Sequence, residues 1–551
     1  MRKFLSISLL LVLVLTAAAQ PPQAPKREVR AVWLTTLFGL DWPHTKADSP
    51  LAVRRQKQEL LTILDKCRAA NINTILFQCV VRASTVYPSA ICPWDACMTG
   101  TAGRSPGWDP LAFAVSECHK RCMEIQAWIV AVPVGHTDSY AAKRLKARGY
   151  KLLKLNGDSY LDPGAPSSAN LIASLAREVT THYDIDGVHL DYIRYPEAMP
   201  RPKTQYIADW RRGRITEIVR EVHDAVKAEK PWVKVSCSVI GKYADMPRYS
   251  SHNWNARERV SQDVRLWLLT GLVDEIYPMM YFRGNDYYPF AVDWAEHSYG
   301  GNVVSGLGTY FLDEREGGRH GWRLDDIARE MMFTRQLGIG TAHFRAKFFL
   351  DNCKGIYDFT SNHYAPYPAL VPQSGSVAHQ LPSAPTSIEV KDGKLVINGT
   401  SHYYNIYASD SWPVDVSDAR NLVLPRFEGS VVNITGTASW LPPYFAVTSM
   451  NRFGDESAPV QSYQPKPLAP GELRCSAGFL LLDTLPSASS VFDIMTLQGT
   501  VVLSVPVRAL ASSRIDVSRL PSGTYLLVLR TRHNKRKEIV SRVGTFMKAE
   551  P

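Results

Sequence analysis

The sequence predicts an α/β protein, a (β/α)8 TIM barrel followed by two small all-β sandwich domains. Three observations lead there. From Glu28 to about Ala365, short apolar runs alternate with amphipathic stretches through eight rounds. No glycine-rich phosphate loop follows the first run. Leu37-Phe38-Gly39-Leu40-Asp41-Trp42-Pro43 stands there instead, which disfavours an open doubly wound sheet. Beyond about Ala365 the helical period gives way to short segments of alternating polarity.

Strand one spans Glu28 to Thr36, and helix one Ala52 to Ala69, with Leu60, Leu61, Leu64 and Cys67 on one face. Strand two is Thr74 to Val81. A long loop runs to Trp108, and Asp109-Pro110 opens helix two with an N-cap and a first-turn proline. Strand three is Ile125 to Pro133, and helix three Ser167 to His182. Strand four lies in Tyr183 to Pro196, with Val188 and Leu190 as its apolar residues and Pro196 ending further pairing. Helix four spans Thr204 to Glu229, strand five Val233 to Ile240, helix five Val260 to Thr270 and strand six Val273 to Tyr281. A helix near Pro289 to Ser298, strand seven at Val303 to Tyr310, helix seven at Asp325 to Leu337 and strand eight at Gly340 to Phe348 complete the barrel.

The barrel domain is thus placed at residues 26–365 and a Pro/Ser/Ala-rich linker at 366–385. A sandwich of fibronectin type III kind is expected at 386–464, and a final all-β unit at 471–548.

Composition narrows the setting. The 551 residues, 45% hydrophobic and 21% charged, describe a folded chain of several domains. The net charge of +11 comes without a lysine run or RNA-binding signature, so nucleic acid is not indicated; a basic surface suits an acidic polymer or an anionic envelope surface. Arg2 and Lys3 precede the apolar run Phe4 to Leu15 and then Ala17-Ala18-Ala19, so residues 1–19 are predicted to be a signal peptide. No later stretch is long and apolar enough to span a bilayer. An exported protein of the periplasm, cell surface or exterior is expected. Nine cysteines permit disulfides in that setting, but most are expected to be buried small apolar residues. No metal, nucleotide or other cofactor is indicated, since no paired CxxC motif stands in the sequence and the histidines are scattered.

Chemistry is expected at the C-terminal ends of the strands. Asp191 falls where strand four runs out, beside Tyr192, Arg194 and Tyr195. It is either a catalytic carboxylate or an N-cap or salt-bridge partner of Arg194. Trp33, Trp128, Tyr277, Tyr281 and Tyr310 add aromatic surface, and Gln78, Arg82, Arg283 and Arg345 add polar edges, at the same rim. Aromatic platforms with hydrogen-bonding edges suit sugar rings. Trp33, Gln78, Arg82, Trp128, Tyr192, Arg194, Tyr281 and Arg345 are therefore the candidate substrate-binding residues. Glycoside hydrolysis needs a second carboxyl group. Asp138 after strand three and Asp313 after strand seven rank first, ahead of Asp286 and Glu314. Asp274 and Glu275 begin strand six and are expected at the floor, and Asp186 is expected to brace the turn before strand four.

Glu28-Val29-Arg30-Ala31-Val32-Trp33, Val86-Tyr87-Pro88-Ser89, Trp108-Asp109-Pro110-Leu111, His119-Lys120-Arg121, Ala127-Trp128 and Asp184 to Tyr192 resemble the glycosyl-hydrolase-like 10 family over about Lys26 to Asn352. The resemblance implies a TIM barrel related to chitinase-type hydrolases. It also implies a function among exported enzymes that cut peptidoglycan glycan strands lacking stem peptides, with the family's strand-four aspartate at Asp191. Many members carry a second aspartate directly after it, where this sequence has Tyr192, and an Asn-Pro after strand three, where it has Val132 to His136. The run from Val491 to Tyr525 resembles the sorting tails of Bacteroidetes secreted proteins, which implies outer-membrane secretion machinery as a partner. The expected activity is a glycoside hydrolase acting on an amino-sugar polymer. The alternatives are a non-catalytic carbohydrate-binding protein on a hydrolase scaffold, or a hydrolase of another surface or dietary polysaccharide.

Overall fold

Eight parallel strands close on themselves in the computed structural model: β1 (Arg30–Leu34), β2 (Thr74–Val81), β3 (Glu124–Val130), β4 (Gly187–Asp191), β5 (Lys234–Ile240), β6 (Glu275–Met279), β7 (Asn302–Leu307) and β8 (Gly340–His343). Each strand pairs with the next, and β8 returns to β1 through Arg30↔Thr341 and Ala31↔Ala342. The structure describes residues 24–316, 321–373, 379–434, 444–462 and, between 473 and 548, all but short gaps at 477, 483–484, 487–488, 511–512 and 534–536. The predicted signal peptide and residues 463–472, between the two β units, lie outside the described residues.

The helices that cover the barrel are α1 (Pro50–Ala69), α2 (Pro110–Lys120), α3 (Pro166–His182), α4 (Gln205–Glu229), α5 (Val264–Leu269), α6 (Tyr288–Glu296), α7 (Leu324–Gln336) and α8 (Ala346–Leu350). Their starts reflect the local chemistry. The Ser49 hydroxyl accepts from the Ala52 N–H at 3.2 Å, and Asp109 from Ala112 at 3.0 Å, each followed by a proline in the first turn. Burial of α1 through Leu60, Leu64 and Cys67 matches the predicted face.

Several boundaries differ from the sequence reading. Strand eight stops at His343 rather than Phe348, because Ala346–Leu350 coils into α8 and buries Phe349. Helix five begins at Val264 rather than Val260, behind Ser261, whose φ of 67° lies outside helical geometry. Strand three ends at Val130, and the chain enters an unpredicted antiparallel sheet of Pro133–His136, Leu152–Leu155 and Asp158–Leu161, interrupted by a helix at Tyr140–Ala147. Asn156-Gly157 makes the tight turn of its second hairpin, both residues at positive φ.

Side chains fill the barrel axis. Trp33, Leu76, Trp128, Tyr277, Val304 and Ala342 form one buried apolar cluster. Gly306 on β7 makes room for it: a Cβ there would meet Pro278 O at 2.8 Å and the Trp33 ring at 3.1 Å. Toward the floor, Lys234 bridges Glu124 at 2.6 Å and Glu275 at 3.2 Å. Asp274 accepts from Lys227 at 2.8 Å and from the Val235 N–H at 2.7 Å, so Asp274 and Glu275 hold the base of the barrel as expected.

Beyond the barrel, Ser387–Lys391, Lys394–Asn398 and Val431–Asn433 form one antiparallel sheet. Tyr403–Ser409, Leu422–Phe427, Tyr444–Met450 and Val460–Gln461 form a second. Ile388, Leu395 and Ile397 of the first pack against Ile406, Phe445 and Val447 of the second. The last unit has sheets of three and four strands around Phe492, Ile494, Leu527 and Phe546.

The first sandwich is bound to the barrel floor. Arg426 pairs with Asp186, which also accepts from His119 at 3.0 Å and from the Ile125 N–H at 2.8 Å. Arg452 forks onto Asp184 at 2.5 and 3.2 Å, and Glu456 accepts from Lys26 and Arg27 at 2.8 and 3.0 Å. Burial works against ionisation of Asp186, but Arg426 and then His119 outweigh it and hold its pKa well below the carboxylate range. All nine cysteines are free thiols and seven are buried.

Candidate active site

The last residue of β4 delivers Asp191 to the rim. It is buried, yet it lines a cavity of about 640 Å³ over the C-terminal ends of the strands, a volume suited to a small-molecule or sugar site. Its Oδ1 accepts from the Tyr192 N–H at 2.7 Å and its Oδ2 from the Trp128 indole N–H at 3.2 Å. Burial pushes the carboxyl above its ordinary pKa, and Arg194, the Tyr192 N–H and the Trp128 indole only partly counter it. That is the environment of a carboxyl group suited to donate a proton.

The residue after it turns sharply. Tyr192 has φ of 51° and presents its ring to the cavity, 39% exposed. The Arg194 guanidinium lies behind that ring, 4.0 Å from its centroid, and donates to Glu197 from Nε at 3.0 Å and Nη2 at 2.6 Å. Arg194 is therefore a buried support and not part of the cavity lining. Glu197 does line the cavity, and so do Asp158 and Glu316. The sequence reading missed all three.

The other expected residues divide. Gln78, Arg82, Trp128, Tyr281 and Arg345 line the cavity with Asp191 and Tyr192. Gln78 is committed to its neighbours: Oε1 accepts from Thr35 Oγ1 at 2.7 Å and from the Thr36 and Leu37 N–H groups at 2.9 Å. Arg345 pairs with Asp41 and donates to the Leu40 carbonyl at 3.1 Å. Tyr281 packs half-buried against Phe344 and Tyr310, and its hydroxyl, itself buried, has no partner among the described residues. Burial first, then the charge of Asp191, hold its phenol well above the ordinary range.

Besides Arg194, three expectations are corrected. Trp33 points into the barrel axis, 1% exposed, and donates to His189 Nε2 at 3.3 Å; it is core. Asp138 lies exposed beyond the inserted sheet and outside the cavity lining. Asp313 lies in the turn after β7, accepting from the Arg315 N–H at 2.9 Å, also outside the lining. The remaining rim aromatics divide likewise. Tyr310 lines the cavity, whereas Tyr277 is buried in the axis with its hydroxyl on Glu275 at 3.0 Å.

Beneath the cavity His189 bonds Ser236 at 2.8 Å and Ser238 at 2.7 Å, and burial pulls its pKa down to about 3. It is a neutral core residue. Among the described residues His119, Asp184 and Glu428 bring potential ligand atoms within 4.8 Å of one another. They sit at the floor end of β4, and Asp186 and Arg452 already engage His119 and Asp184.

The profile of the family described as glycosyl hydrolase-like 10 matches residues 28–199 and 191–304. Glycosyl hydrolase YngK of Bacillus subtilis (strain 168) is 31% identical over 406 residues, covering 67% of this chain and 78% of that protein. Glycosyl hydrolase DigH of Escherichia coli (strain K12) is 30% identical over 302 residues, covering 48% of this chain and 69% of that protein. Among solved structures, the PgaB (BpsB) glycoside hydrolase domain from Bordetella bronchiseptica aligns at 12% identity with a TM-score of 0.43, covering 61% of this chain and 98% of that one.

Proposed function

This chain belongs to the glycosyl hydrolase-like 10 family, and from that premise we propose that it is an exported glycoside hydrolase cleaving an amino-sugar polymer, peptidoglycan glycan strands lacking stem peptides, with Asp191 as the principal catalytic carboxylate. One observation carries the reading. Asp191 ends β4, has its carboxyl pushed above its ordinary pKa by burial, and still opens into the cavity among Trp128, Tyr192 and Tyr281. In this reading Asp191 protonates the leaving glycosidic oxygen. Glu197, kept in place by the Arg194 fork, is the second carboxylate that cleavage requires. The aromatic rings receive the C–H faces of the sugars.

The amino-sugar substrate is supported by the family resemblance and by the basic balance of the chain, +11. Export is supported by the leader-like first nineteen residues. A fibronectin type III-like module is supported by the two packed antiparallel sheets after the barrel, and a sorting module that engages secretion machinery by the resemblance of the run from Val491 to Tyr525 to such tails. Incubation of the purified chain with peptide-free glycan strands, followed by mass spectrometry of the products, tests the activity. Shorter fragments from the unaltered chain and none from Asp191→Asn are the expected result.

A non-catalytic carbohydrate-binding role is the second reading. It is favoured by Tyr192 standing where many relatives carry a second aspartate, and by Glu197 being held in an ion pair. Retention of strands without any shortening would select it.

A further inference from the structure

A second pocket, of about 270 Å³, adjoins the first. The two share Leu37, Val81, Arg82 and Gly135 as a common wall, so they lie side by side. The far side of the second pocket carries Phe38, Trp94 and Tyr140. Phe38 is 73% exposed and Tyr140 49% exposed, an unusual display of aromatic surface for residues beside a cavity.

The wall itself is held in an uncommon conformation. Arg82 and Ala83 form the two-residue turn between β2 and the short strand Ser84–Thr85, with Val81 opposite Ser84. Both have positive φ, 50° and 61°, where Asn-Gly would sit without strain. Phe38 also has positive φ, 56°, and its ring lies 5.7 Å from the Arg82 guanidinium. Non-glycine residues held in this region at a ligand site point to a role for the side chain displayed.

The charge balance names that role. Among the described residues Arg82 makes no hydrogen bond or ion pair, only its contact with Phe38. The acid lining the second pocket is already engaged: Asp95 accepts from Ser84 Oγ and, at 2.8 Å, from the Cys97 N–H. An arginine with its planar fork free, between two aromatic-lined pockets, is matched to a carboxylate on a sugar ring.

We propose that the pocket beyond Arg82 is a second glycan subsite, in which Phe38 and Tyr140 stack a sugar ring and Arg82 binds the carboxylate of an acidic sugar spanning the two pockets. This rests on the reading of the main cavity as a glycan-cleaving site and adds a feature to it, selection for an anionic polymer long enough to occupy both pockets.

The test compares equilibrium binding of two probes, peptide-free peptidoglycan strands with free carboxylates and the same strands with the carboxylates amidated. The full chain carries Asp191→Asn so that the strands stay whole. The charged strands are expected to bind about tenfold more tightly, and Arg82→Gln is expected to bring that preference close to one. Phe38→Ala and Tyr140→Ala weaken both probes alike, by several-fold. A preference that survives Arg82→Gln overturns the subsite while leaving the main site standing. Should Arg82→Gln not fold, Phe38→Ala decides, and unchanged affinity for both probes overturns the proposal. Absence of binding of either probe by the chain carrying Asp191→Asn alone sinks the substrate reading itself, and the subsite with it.

Discussion

The Trp128 indole N–H and the Asp191 carboxylate meet at 3.2 Å across neighbouring strands β3 and β4, where Trp128 pairs in register with His189, two residues before Asp191. The donor stabilises the ionised carboxylate and burial the protonated one. Their balance sets when Asp191 can give up a proton.

Asp191→Asn removes the proposed proton donor without changing the shape of the side chain. Turnover of peptide-free glycan strands is expected to fall on the order of 10³-fold, with strand binding and melting temperature little changed. Initial-rate measurements with a binding control check it.

Trp128→Phe keeps the aromatic surface and deletes the N–H. Because that donor favours the ionised form, its loss lets the Asp191 pKa rise further. A group acting as an acid works below its pKa, so the alkaline limb of the pH–rate profile is expected to move to higher pH. A limb that stays in place would show that Asp191 is not the group titrating there.

Glu197→Ala takes away the proposed second carboxylate and leaves Arg194 unpaired beneath Tyr192. Turnover is expected to fall at least 10²-fold. Partial recovery with added azide would mark a displaced base or nucleophile, while a lowered melting temperature without recovery would mark a structural loss only.

Arg426→Ala leaves Asp186 buried with only His119 and the Ile125 N–H as partners. Breaking a buried pair of this kind costs about 3 kcal/mol. The first transition in a denaturant titration is expected to come earlier, and Arg452→Ala, which frees the more exposed Asp184, is expected to cost less.

Two core histidines make the fold acid-sensitive. Burial lowers His189 and His343 from 6.5 to about 3. Between those values the unfolded chain binds more protons than the folded one, so stability rises with pH. Each histidine is expected to cost roughly 1.4 kcal/mol per pH unit on acidification from about 6.5 toward 3. Melting temperatures across that window check it, and His189→Gln should make the decline shallower.

Much of this was readable in the residues. Asp109-Pro110 announces a helix start through local chemistry alone, and Val188 to Asp191 announces a buried strand with a polar end. Depth along a strand was not readable. Trp33 and Trp128 both stand on barrel strands, but only Trp128 reaches the cavity, and that depends on strand tilt and register across the closed sheet. Glu197 was hidden because it comes after Pro196 in a loop whose path is set by the Arg194 fork and by Arg259 donating to its carbonyl at 2.6 Å. Asp158 and Tyr160 reach the cavity through the inserted sheet, whose one local signal was Asn156-Gly157.

The strand that ends in Asp191 begins beside Asp186, and Asp186 is clasped by Arg426 from the neighbouring sandwich. The appended module thus grips the lower end of the rod whose upper end bears the proposed catalytic acid. In evolutionary terms such a barrel is not freely interchangeable between architectures: recombination that exchanges the adjoining module must bring a matching cation for the acid it uncovers.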